Sequence, residues 1–244
     1  MPQKDYIKKR FHSSRTTYKK NAKVQNAMQK TLLNLLKKHL QHQDLKSLLE
    51  LGCGNGDLSK TIAKSFLFEN YYAIDLVDFS SEFIDSNIHF LQGDFEDLDS
   101  ILPNSLRFDC IISNAALQWS NQDRLLPLLS KKLKKDGILL FSTFGRNNFQ
   151  ELKELFNLGL DYLELKNYFI LLSNCEILDA FEHVKTLRFN SPLDVFKHLQ
   201  STGVNALKSH FNLTKAHLNA YEKKFQNTLT YHTLFICAKI INND

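Results

Sequence analysis

The sequence contains no apolar run long enough to cross a membrane, since a transmembrane helix needs about 18 or more such residues in succession. The opening stretch, MPQKDYIKKRFHSS, also lacks the apolar segment that is typical of a secretory signal peptide. Both absences argue against a membrane or exported protein. We therefore expect a cytoplasmic location and no interaction with a membrane.

Cysteine is sparse, and no two cysteines form a CxxC pair. Scattered single cysteines are typical of reduced, packed thiols in a cytosolic protein, so we expect neither a disulfide framework nor a zinc site. His39 and His42 stand three residues apart, but no third ligand is near them in sequence, and we interpret them as solvated helix residues. The four cysteines are Cys53, Cys110, Cys175 and Cys237.

The 244 residues are 43% apolar, which is enough to build the core of one sizeable α/β domain. Apolar residues first recur at helical spacing, and this pattern predicts a long amphipathic helix before the first strand. The residues that carry this pattern are Val24, Met28, Leu32, Leu35, Leu36 and Leu40.

Short β-rich runs then alternate with helical stretches, a pattern that predicts a parallel sheet covered by helices on both faces. After Thr143 the alternation ends, and residues 145–200 are mostly helical in pattern. Another helix is predicted from about Thr214, and LTYHTLFICAKI closes the chain as a strand. No Gly/Ser linker or repeat separates this part, so we interpret it as an insertion in one domain. The strands predicted first are 47–51, 71–75, 88–91, 109–113 and 138–143.

Glycine is also scarce, with eight in the chain, yet three of them fall at alternate positions in LLELGCGNGD. Gly52, Gly54 and Gly56 follow the first predicted strand, with Glu50 just before them. A tight strand-to-helix turn explains one such glycine through positive φ, but three in five residues next to an acid favour a ligand close to the backbone. The spacing differs from the GxGxxG of a dinucleotide site, which argues against a dinucleotide.

Ligands of open parallel sheets bind beyond the carboxyl ends of the strands. Asp75 ends the second strand, 19 residues beyond Gly56, where an acid can accept from both ribose hydroxyls of an adenosine group. In QGDFED, Asp94 can accept from an adenine amino group and Phe95 can lie against the purine. The stretch after the fourth strand, SNAALQW, adds Ser113, Asn114, Gln118 and Trp119.

Each of these residues also has a purely structural explanation. Asp75 is equally well an ordinary strand-end acid, Phe95 a core residue and Trp119 a cap on the core. Four separate signals nevertheless fall at four consecutive strand ends in the order that a nucleoside site requires. Their coincidence favours a binding site.

The residues LLELGCGNG, together with Asp75 and GDFED, resemble the class I S-adenosylmethionine-dependent methyltransferases over residues 47–144. This resemblance implies a doubly wound, Rossmann-like, seven-stranded and mostly parallel sheet whose last strand is antiparallel. It also implies that Glu50 and the glycine loop hold the methionine part of the cofactor, Asp75 the ribose and Asp94 the adenine. The implied cofactor-binding residues are Glu50, Gly52, Cys53, Gly54, Gly56, Asp75, Leu76, Asp94, Phe95 and Asn114.

Two positions depart from the pattern of that family. Val77 stands where a small polar residue often follows the ribose acid, and Asp78 is close enough to compete with Asp75 for the ribose. The choice between the two acids stays open at this point.

A narrower resemblance covers nearly the whole chain and is to the malonyl-acyl-carrier-protein O-methyltransferases of biotin synthesis. It is carried by RFHSSRTTYKKNAKVQ, ISNAALQWSNQ, FSTFGRNNFQELKEL, and SPLDVFKHLQSTGVNAL with LTYHTLFICAKI. It implies methyl transfer to the free carboxylate of a malonyl thioester on an acyl carrier protein. The expected organisation is a single domain over 1–244, with a helical N-terminal segment or lid at 1–45, a cofactor-binding core at 46–144, a largely helical substrate-side region at 145–228 and a final strand at 229–241.

The implied reaction needs little acid-base chemistry, because a carboxyl group with a pKa of about 4 is already ionised at pH 7. Positioning of the carboxylate is what the protein must supply. Our candidates for positioning are Tyr18, Gln118, Trp119 and Arg146, with Arg146 a natural bidentate partner for a carboxylate. A solvated loop charge is the equally weighted alternative for Arg146. No metal is expected.

Three other functions compete with this one. A methyltransferase of a small free carboxylic acid shares every cofactor residue and is the nearest alternative. A nucleic-acid methyltransferase is favoured by the net charge of +5, but SNAALQW lacks the Asn-Pro-Pro-aromatic stretch that grips a flipped base, and we expect no nucleic-acid partner. A binding protein without turnover is disfavoured by the intact acid and glycine set.

Two basic clusters are candidates for docking an acidic carrier protein. We expect the carrier to meet the N-terminal cluster. The other cluster follows the helix before the fifth strand, where its charges are expected to complement the helix dipole. The N-terminal cluster is Lys8, Lys9, Arg10, Arg15, Lys19 and Lys20, and the other is Lys131, Lys132, Lys134 and Lys135.

Overall fold

A computed structural model of the chain describes residues 4–5, 8–9, 22–40, 45–201 and 211–241. By its internal contacts the chain divides into two compact units. One unit is formed by residues 1–24, 144–163 and 182–233, and the other by residues 25–143, 164–181 and 234–244. The predicted single domain, with boundaries after residues 45, 144 and 228, stays a prediction.

The long helix α1 spans Lys23–Leu40, as the apolar spacing predicts. All six apolar residues that define this spacing are buried. Lys37, Lys38 and His39 occupy the last turn, where the partial negative charge of the helix C-terminus favours cationic side chains. Burial of one face, more than helix propensity, stabilises this helix.

Five parallel strands follow α1, and each overlaps a predicted strand. The first of them is buried along its whole length, because it has a strand on either side and lies in the middle of a sheet of the doubly wound type. The strands are β1 (Ser47–Leu51), β2 (Asn70–Asp75), β3 (Ile88–Gln92), β4 (Phe108–Asn114) and β5 (Leu133–Phe144).

Helices and short 3₁₀ turns connect these strands. The helices are α2 (Asp57–Ser65), α3 (Leu98–Ile101) and α4 (Gln122–Lys132). Turns at Ser80–Glu82, Phe95–Asp97 and Leu117–Trp119 follow the second, third and fourth strands. The alternation of strand and helix therefore has the form that the sequence predicts.

The second basic cluster lies only partly where it was predicted. Lys131 and Lys132 do occupy the last turn of α4, but β5 begins at Leu133, so Lys134 and Lys135 lie on a strand. Lys134 Nζ donates to Asp109 Oδ2 at 2.9 Å. The prediction that all four lysines complement a helix dipole is thus wrong for the last two, because strand pairing with Phe108 begins at Leu133.

After β5 the described residues form four further helices and two further strands. Thr214 caps the last helix by accepting a hydrogen bond from the N–H of His217, as expected for a helix predicted to start near that threonine. The elements are α5 (Gln150–Phe156), α6 (Leu165–Leu171), β6 (Cys175–Arg188), α7 (Pro192–Ser201), α8 (Lys215–Phe225) and β7 (Thr228–Ile240).

The prediction that residues 145–200 are mostly helical is wrong, because a long strand lies within them. Fourteen of these residues form β6, which lies at one end of the strand order β3-β2-β1-β4-β5-β7-β6. Most side chains of an edge strand stay half-buried or exposed, and charged residues are common there. The sequence of β6 therefore lacks the clear apolar alternation that marks a strand.

β7 confirms the predicted final strand and runs antiparallel to β6. Partner residues on β7 fall in number as those on β6 rise, which only an antiparallel pair produces. The contacts are Thr233 Oγ1 to the His183 carbonyl, Thr186 Oγ1 to Thr230 Oγ1, and the Phe189 N–H to the Asn227 carbonyl. The expected seven-stranded, mostly parallel α/β sheet is confirmed.

In the part of the chain that the structure describes, no helix combines the length and the apolar character needed to cross a membrane.

Candidate functional site

The carboxyl ends of β1, β2 and β4 lie side by side at one edge of the sheet. Leu51 is in register with Ile74 on β2 and with Ser113 on β4, so the residues that follow these three positions lie at the same edge of the sheet. Gly52, Asp75 and Asn114 are those residues. The structure thus brings three of the predicted site segments to one place.

All three glycines of the loop after β1 have positive φ, at 70° for Gly52, 52° for Gly54 and 75° for Gly56. The turn by itself therefore requires glycine at each position. A Cβ atom at Gly52 would collide with the Cβ of Ala116, and one at Gly56 would lie 2.8 Å from the ring of Phe83. These two glycines are explained by close packing.

Gly54 differs from its neighbours, because a Cβ atom built on it has no atom of the described chain within 4 Å. The backbone at Gly54 therefore borders open space. Of the three glycines, this is the one at which a ligand can approach the backbone directly.

Asp75 ties the glycine loop to the end of β2. The N–H of Gly54 donates to Asp75 Oδ2 at 2.9 Å, and the N–H of Val77 donates to Oδ1 at 2.9 Å. The N–H of Gly52 also bonds to the carbonyl of Ile74 at 2.8 Å. Burial raises the pKa of Asp75 to about 6, although the backbone donors act in the opposite direction.

The structure shows what Val77 and Asp78, the two departures from the family pattern, do in the turn after β2. Val77 is buried, and its backbone N–H rather than its side chain serves Asp75. Asp78 is exposed, and its Oδ1 accepts the N–H of Ser80 in its own turn. Of the two acids, Asp75 is the one that bonds the glycine loop.

Glu50 lies in the buried strand β1 with only 2% of its surface exposed. Ser59 Oγ donates to its Oε2 atom at 2.6 Å, and the Tyr71 hydroxyl donates to the same atom at 2.5 Å. Burial raises the pKa of Glu50 to about 7, against the opposing effect of these two donors. Burial also holds the pKa of the adjacent Cys53 thiol well above its usual range, so this thiol stays neutral.

Ser59 and Tyr71 are not among the site residues that the sequence predicts. Ser59 is a fully buried polar residue on α2, and Tyr71 is fully buried at the start of β2. A serine on the apolar face of a short helix was the available signal for the first. Tyr71 carries no such signal, because an aromatic residue is ordinary in a buried strand.

Asp94 and Phe95 follow β3, where the sequence places them. Asp94 Oδ1 accepts the N–H of Glu96 at 3.0 Å and so caps the turn at Phe95–Asp97. The half-buried ring of Phe95 comes within 3.9 Å of a Cβ atom built on Gly52, so it borders the glycine loop. Leu76 is half-buried, and its carbonyl accepts from Gln92 Nε2 at 3.4 Å.

Asn114 and Gln118 are both engaged with the protein itself. Asn114 Nδ2 donates to the carbonyl of Gln25 on α1 at 3.2 Å, and its Oδ1 accepts from Ser142 Oγ on β5 at 2.7 Å. Gln118 Nε2 donates to the carbonyl of Ala115 at 2.6 Å, and its Oε1 accepts from Thr143 Oγ1 at 3.3 Å. These bonds engage both polar side-chain atoms of each amide with the protein.

The remaining positioning candidates, Trp119, Arg146 and Tyr18, lie in different parts of the chain. Trp119 is half-buried in the turn after β4, in the same unit as the glycine loop. Arg146 is exposed and belongs to the other unit. Tyr18 lies outside the described residues, as do most members of the N-terminal basic cluster, while Lys8 and Lys9 are exposed.

His39 is not the solvated residue that the sequence predicts. Its Nε2 lies 2.5 Å from Asp179 Oδ2 on β6, and Lys38 Nζ bonds to the same carboxylate. Tertiary folding supplies this partner from a residue 140 positions away. His42 lies outside the described residues. Among those that are described, no three His, Cys, Asp or Glu side chains are grouped to hold a metal ion, and all four cysteines are buried free thiols.

Comparison with known proteins identifies the family. A family model described as a methyltransferase domain matches residues 20–211. A curated relative from Calditerrivibrio nitroreducens, named malonyl-[acyl-carrier protein] O-methyltransferase, is 34% identical over 241 residues, which cover 95% of this chain and 96% of the relative. The chain belongs to the malonyl-[acyl-carrier protein] O-methyltransferase family.

Solved structures share the fold of this malonyl-[acyl-carrier protein] O-methyltransferase family member at low identity. The YcgJ protein of Bacillus subtilis is 15% identical with a TM-score of 0.62, covering 87% of this chain and 99% of that chain. The N-methyltransferase NodS of Bradyrhizobium japonicum, solved with S-adenosyl-L-homocysteine, is 12% identical with a TM-score of 0.52, covering 87% of each chain. At such identities the likeness shows the fold alone.

Membership of the malonyl-[acyl-carrier protein] O-methyltransferase family confirms the resemblance expected from the sequence and the predicted methyltransferase class. The roles of individual site residues stay predictions. Chemically, the edge described above offers a glycine backbone beside open space, one acid that bonds this backbone, and a second acid buried behind it. Such an arrangement can hold a ligand that carries hydroxyl and ammonium groups.

Proposed function

We propose that this protein transfers a methyl group from S-adenosyl-L-methionine to the free carboxylate of a malonyl group on an acyl carrier protein. The observation that carries this proposal is the similarity over 95% of the chain to a relative of that name. The product is the methyl ester of the malonyl thioester, which we place in the synthesis of a biotin precursor in the cytoplasm. The nearest alternative substrate is a small free carboxylic acid.

The residues at the sheet edge fit this cofactor. The open space beside Gly54 leaves room for the methionine part against the backbone. The N–H groups of Gly54 and Val77 donate to different oxygens of Asp75, and the N–H of Leu76 also bonds this carboxylate. Since each carboxylate oxygen accepts about two hydrogen bonds, Asp75 can still accept from the ribose. Asp75 rather than Asp78 is our proposed ribose ligand, because Asp75 bonds the same loop that would hold the methionine part.

The other cofactor contacts follow from the same edge. In Glu50 both described hydrogen bonds fall on Oε2, which leaves Oε1 as the proposed acceptor for the amino group of the cofactor. Phe95 borders the glycine loop, and we assign its ring to the purine and the neighbouring Asp94 to the adenine amino group. When bound, the cofactor supplies an activated methyl group on a sulfonium.

The chain needs no general base for this reaction. The carboxylate oxygen forms the new C–O bond as the C–S bond breaks, and no proton moves, because a malonyl carboxylate is ionised at neutral pH. The protein therefore contributes orientation and the exclusion of water. We assign the orientation of the malonyl group to Arg146, Gln118, Trp119 and Tyr18, with Arg146 as the partner of the carboxylate.

The carrier protein is the proposed macromolecular partner. Acyl carrier proteins are acidic, and the N-terminal cluster of six cationic residues offers a complementary charge. Lys8 and Lys9, two of its members, are exposed in the structure.

The decisive experiment is mass spectrometry of malonyl-carrier protein after incubation with the purified protein and S-adenosyl-L-methionine. We expect one added methyl group in a base-labile ester, and none on an acetyl carrier, which lacks the free carboxylate. Free malonate and malonyl-coenzyme A are run beside it. Faster methylation of either would favour the alternative, and methylation of acetyl carrier would refute a carboxylate acceptor.

A further inference from the structure

The residues on both sides of Arg146 bond to the same buried histidine on β7, His232. The N–H of Gly145 donates to the carbonyl of His232 at 2.8 Å. The N–H of Asn147 donates to His232 Nδ1 at 3.2 Å, and the N–H of His232 donates to Asn148 Oδ1 at 3.3 Å. The residues on both sides of Arg146 are thus bonded to one side chain and its backbone.

These contacts determine which nitrogen of His232 carries the proton. Nδ1 faces the backbone N–H of Asn147 and accepts from it, which assigns the ring hydrogen to Nε2. Nε2 lies 3.1 Å from Glu182 Oε2 on β6, which is well placed to accept that hydrogen. Glu182 therefore orients the ring for the bond to Asn147.

Gly145 completes the arrangement by its lack of a side chain. A Cβ atom at this position would lie 2.8 Å from Nδ1 and from Cε1 of His232. No positive φ is recorded for Gly145, so close approach to the ring, and not backbone conformation, explains the glycine. The backbone of the loop therefore lies close against the imidazole.

We propose that His232 is a positioning residue for the malonyl carboxylate, acting through the Gly145–Asn148 loop to hold Arg146 in its binding direction. This inference rests on the proposed function, in which Arg146 pairs with that carboxylate. Arg146 itself is exposed, and a long exposed side chain loses binding energy when its backbone is not held in place. His232 supplies that restraint without touching the substrate.

Two substitutions of His232 separate its two ring contacts. In His232→Asn, the amide oxygen replaces the acceptor at Nδ1 and the bond to Asn147 is kept. In His232→Gln, the amide reaches Glu182 but the acceptor at Nδ1 is lost. We expect His232→Gln to raise KM for malonyl-carrier protein ~5-fold or more, the worth of one hydrogen bond, and His232→Asn to stay near wild type.

A third variant reaches the same loop without changing the histidine. Gly145→Ala pushes the loop away from the ring and should raise KM as His232→Gln does. The dissociation constant for S-adenosyl-L-methionine should be unchanged in all three variants. His183→Gln, the same change at an exposed histidine of β6, is the matched control and should have wild-type kinetics.

A double-mutant cycle with Arg146→Ala tests whether His232 acts through Arg146. Once Arg146 is removed, His232→Gln should add no further loss. Equal KM for the Asn and Gln variants, weakened cofactor binding in either, or full additivity with Arg146→Ala would each overturn the inference. A wild-type protein that methylates no malonyl-carrier protein would refute the proposed function, and this inference with it.

Discussion

The backbone N–H of Gly54 donates a hydrogen bond of 2.9 Å to the carboxylate of Asp75. The sequence places these residues 21 positions apart and predicts separate tasks for them, one at the methionine part of the cofactor and one at the ribose. The structure joins them, because this hydrogen bond links the loop next to the open space to the acid at the end of β2.

Replacement of Asp75 by alanine should weaken the binding of S-adenosyl-L-methionine by about 1.5–3 kcal/mol, because charged hydrogen bonds to the ribose are lost. The dissociation constant should rise roughly 10- to 150-fold. Isothermal titration calorimetry measures this directly. Asp78→Ala is the matched control and should bind normally, since Asp78 is exposed in its own turn. If the Asp78→Ala protein bound the cofactor weakly and the Asp75→Ala protein bound it normally, our assignment of the ribose ligand would be reversed.

The three glycines should respond differently to alanine. Gly52→Ala and Gly56→Ala should lose the most stability, because their methyl groups meet Ala116 and Phe83. Gly54→Ala should lose only about 1–2 kcal/mol for its positive φ, yet should bind cofactor far more weakly, because its methyl group fills the open space. Melting temperature and calorimetry separate the two effects. Normal cofactor binding by a folded Gly54→Ala protein would remove this loop from the proposed site.

The pKa of Glu50 predicts a dependence of stability on pH in the cofactor-free protein. Burial raises this pKa from 4.5 to about 7, so between these values the folded state binds more protons than the unfolded state. The free energy of unfolding contributed by this group therefore falls as pH rises through that interval, by on the order of 3 kcal/mol.

Glu50→Gln removes this titration while keeping an acceptor for Ser59 and Tyr71. Its stability relative to wild type should rise between pH 5 and pH 8, as measured by urea unfolding at each pH. Glu69→Gln, at an exposed position, is the control and should show no such trend. If the free energy of unfolding of Glu50→Gln changed with pH as that of wild type does, a group other than Glu50 would be responsible for the change.

Arg146→Ala should raise KM or lower kcat for malonyl-carrier protein and leave the cofactor dissociation constant unchanged, because the proposed bidentate pair with the carboxylate is lost. Arg146→Lys should recover only part of the loss, since an ammonium cannot form that paired geometry. Steady-state kinetics with saturating cofactor provide the measurement. Wild-type constants in Arg146→Ala would return this residue to a solvated loop charge.

Charge reversal at Lys8 and Lys9 should raise KM for malonyl-carrier protein severalfold and leave a short malonyl-pantetheine substrate unaffected. The same KM should rise with salt, as screening weakens the attraction. Lys131→Glu, at an exposed lysine in the last turn of α4, is the matched control for kinetics. Equal kinetic damage from both sets would mean that the carrier docks elsewhere.

Reversal at Lys132 should reduce the melting temperature rather than change KM. Its ammonium is buried and lies 2.8 Å from Asp99, in ion-pair range without the geometry of a hydrogen bond. A carboxylate in the same position would be buried beside another carboxylate, which is strongly unfavourable.

The sequence predicted well the elements whose stability comes from their own pattern. The bounds of β1 are those expected, and the apolar residues of α1 are buried as expected, because a fully buried strand and an amphipathic helix leave clear signals in a short window. The location of the candidate site was predictable from these strands, because parallel strands bring their carboxyl ends to one edge of the sheet.

Other features were decided only when distant segments met. β6 is a strand because β7 pairs with it, and on this edge strand apolar and polar residues do not alternate in the way that signals a strand. Ser59 and Tyr71 donate hydrogen bonds to Glu50, and Asp179 contacts His39. No local pattern in the sequence indicates these contacts either.

The sequence by itself determined the family, the positions of most strands along the chain and the positions of the glycine loop and Asp75. All of these depend on short stretches with strong local requirements. The tertiary structure decided that Gly54 borders open space, that Asp75 and not Asp78 bonds the loop, and that His232 holds the residues beside Arg146. The physical reason is that a hydrogen bond between residues far apart in sequence is directional and short-ranged, so it is defined only once packing has brought its donor and acceptor together.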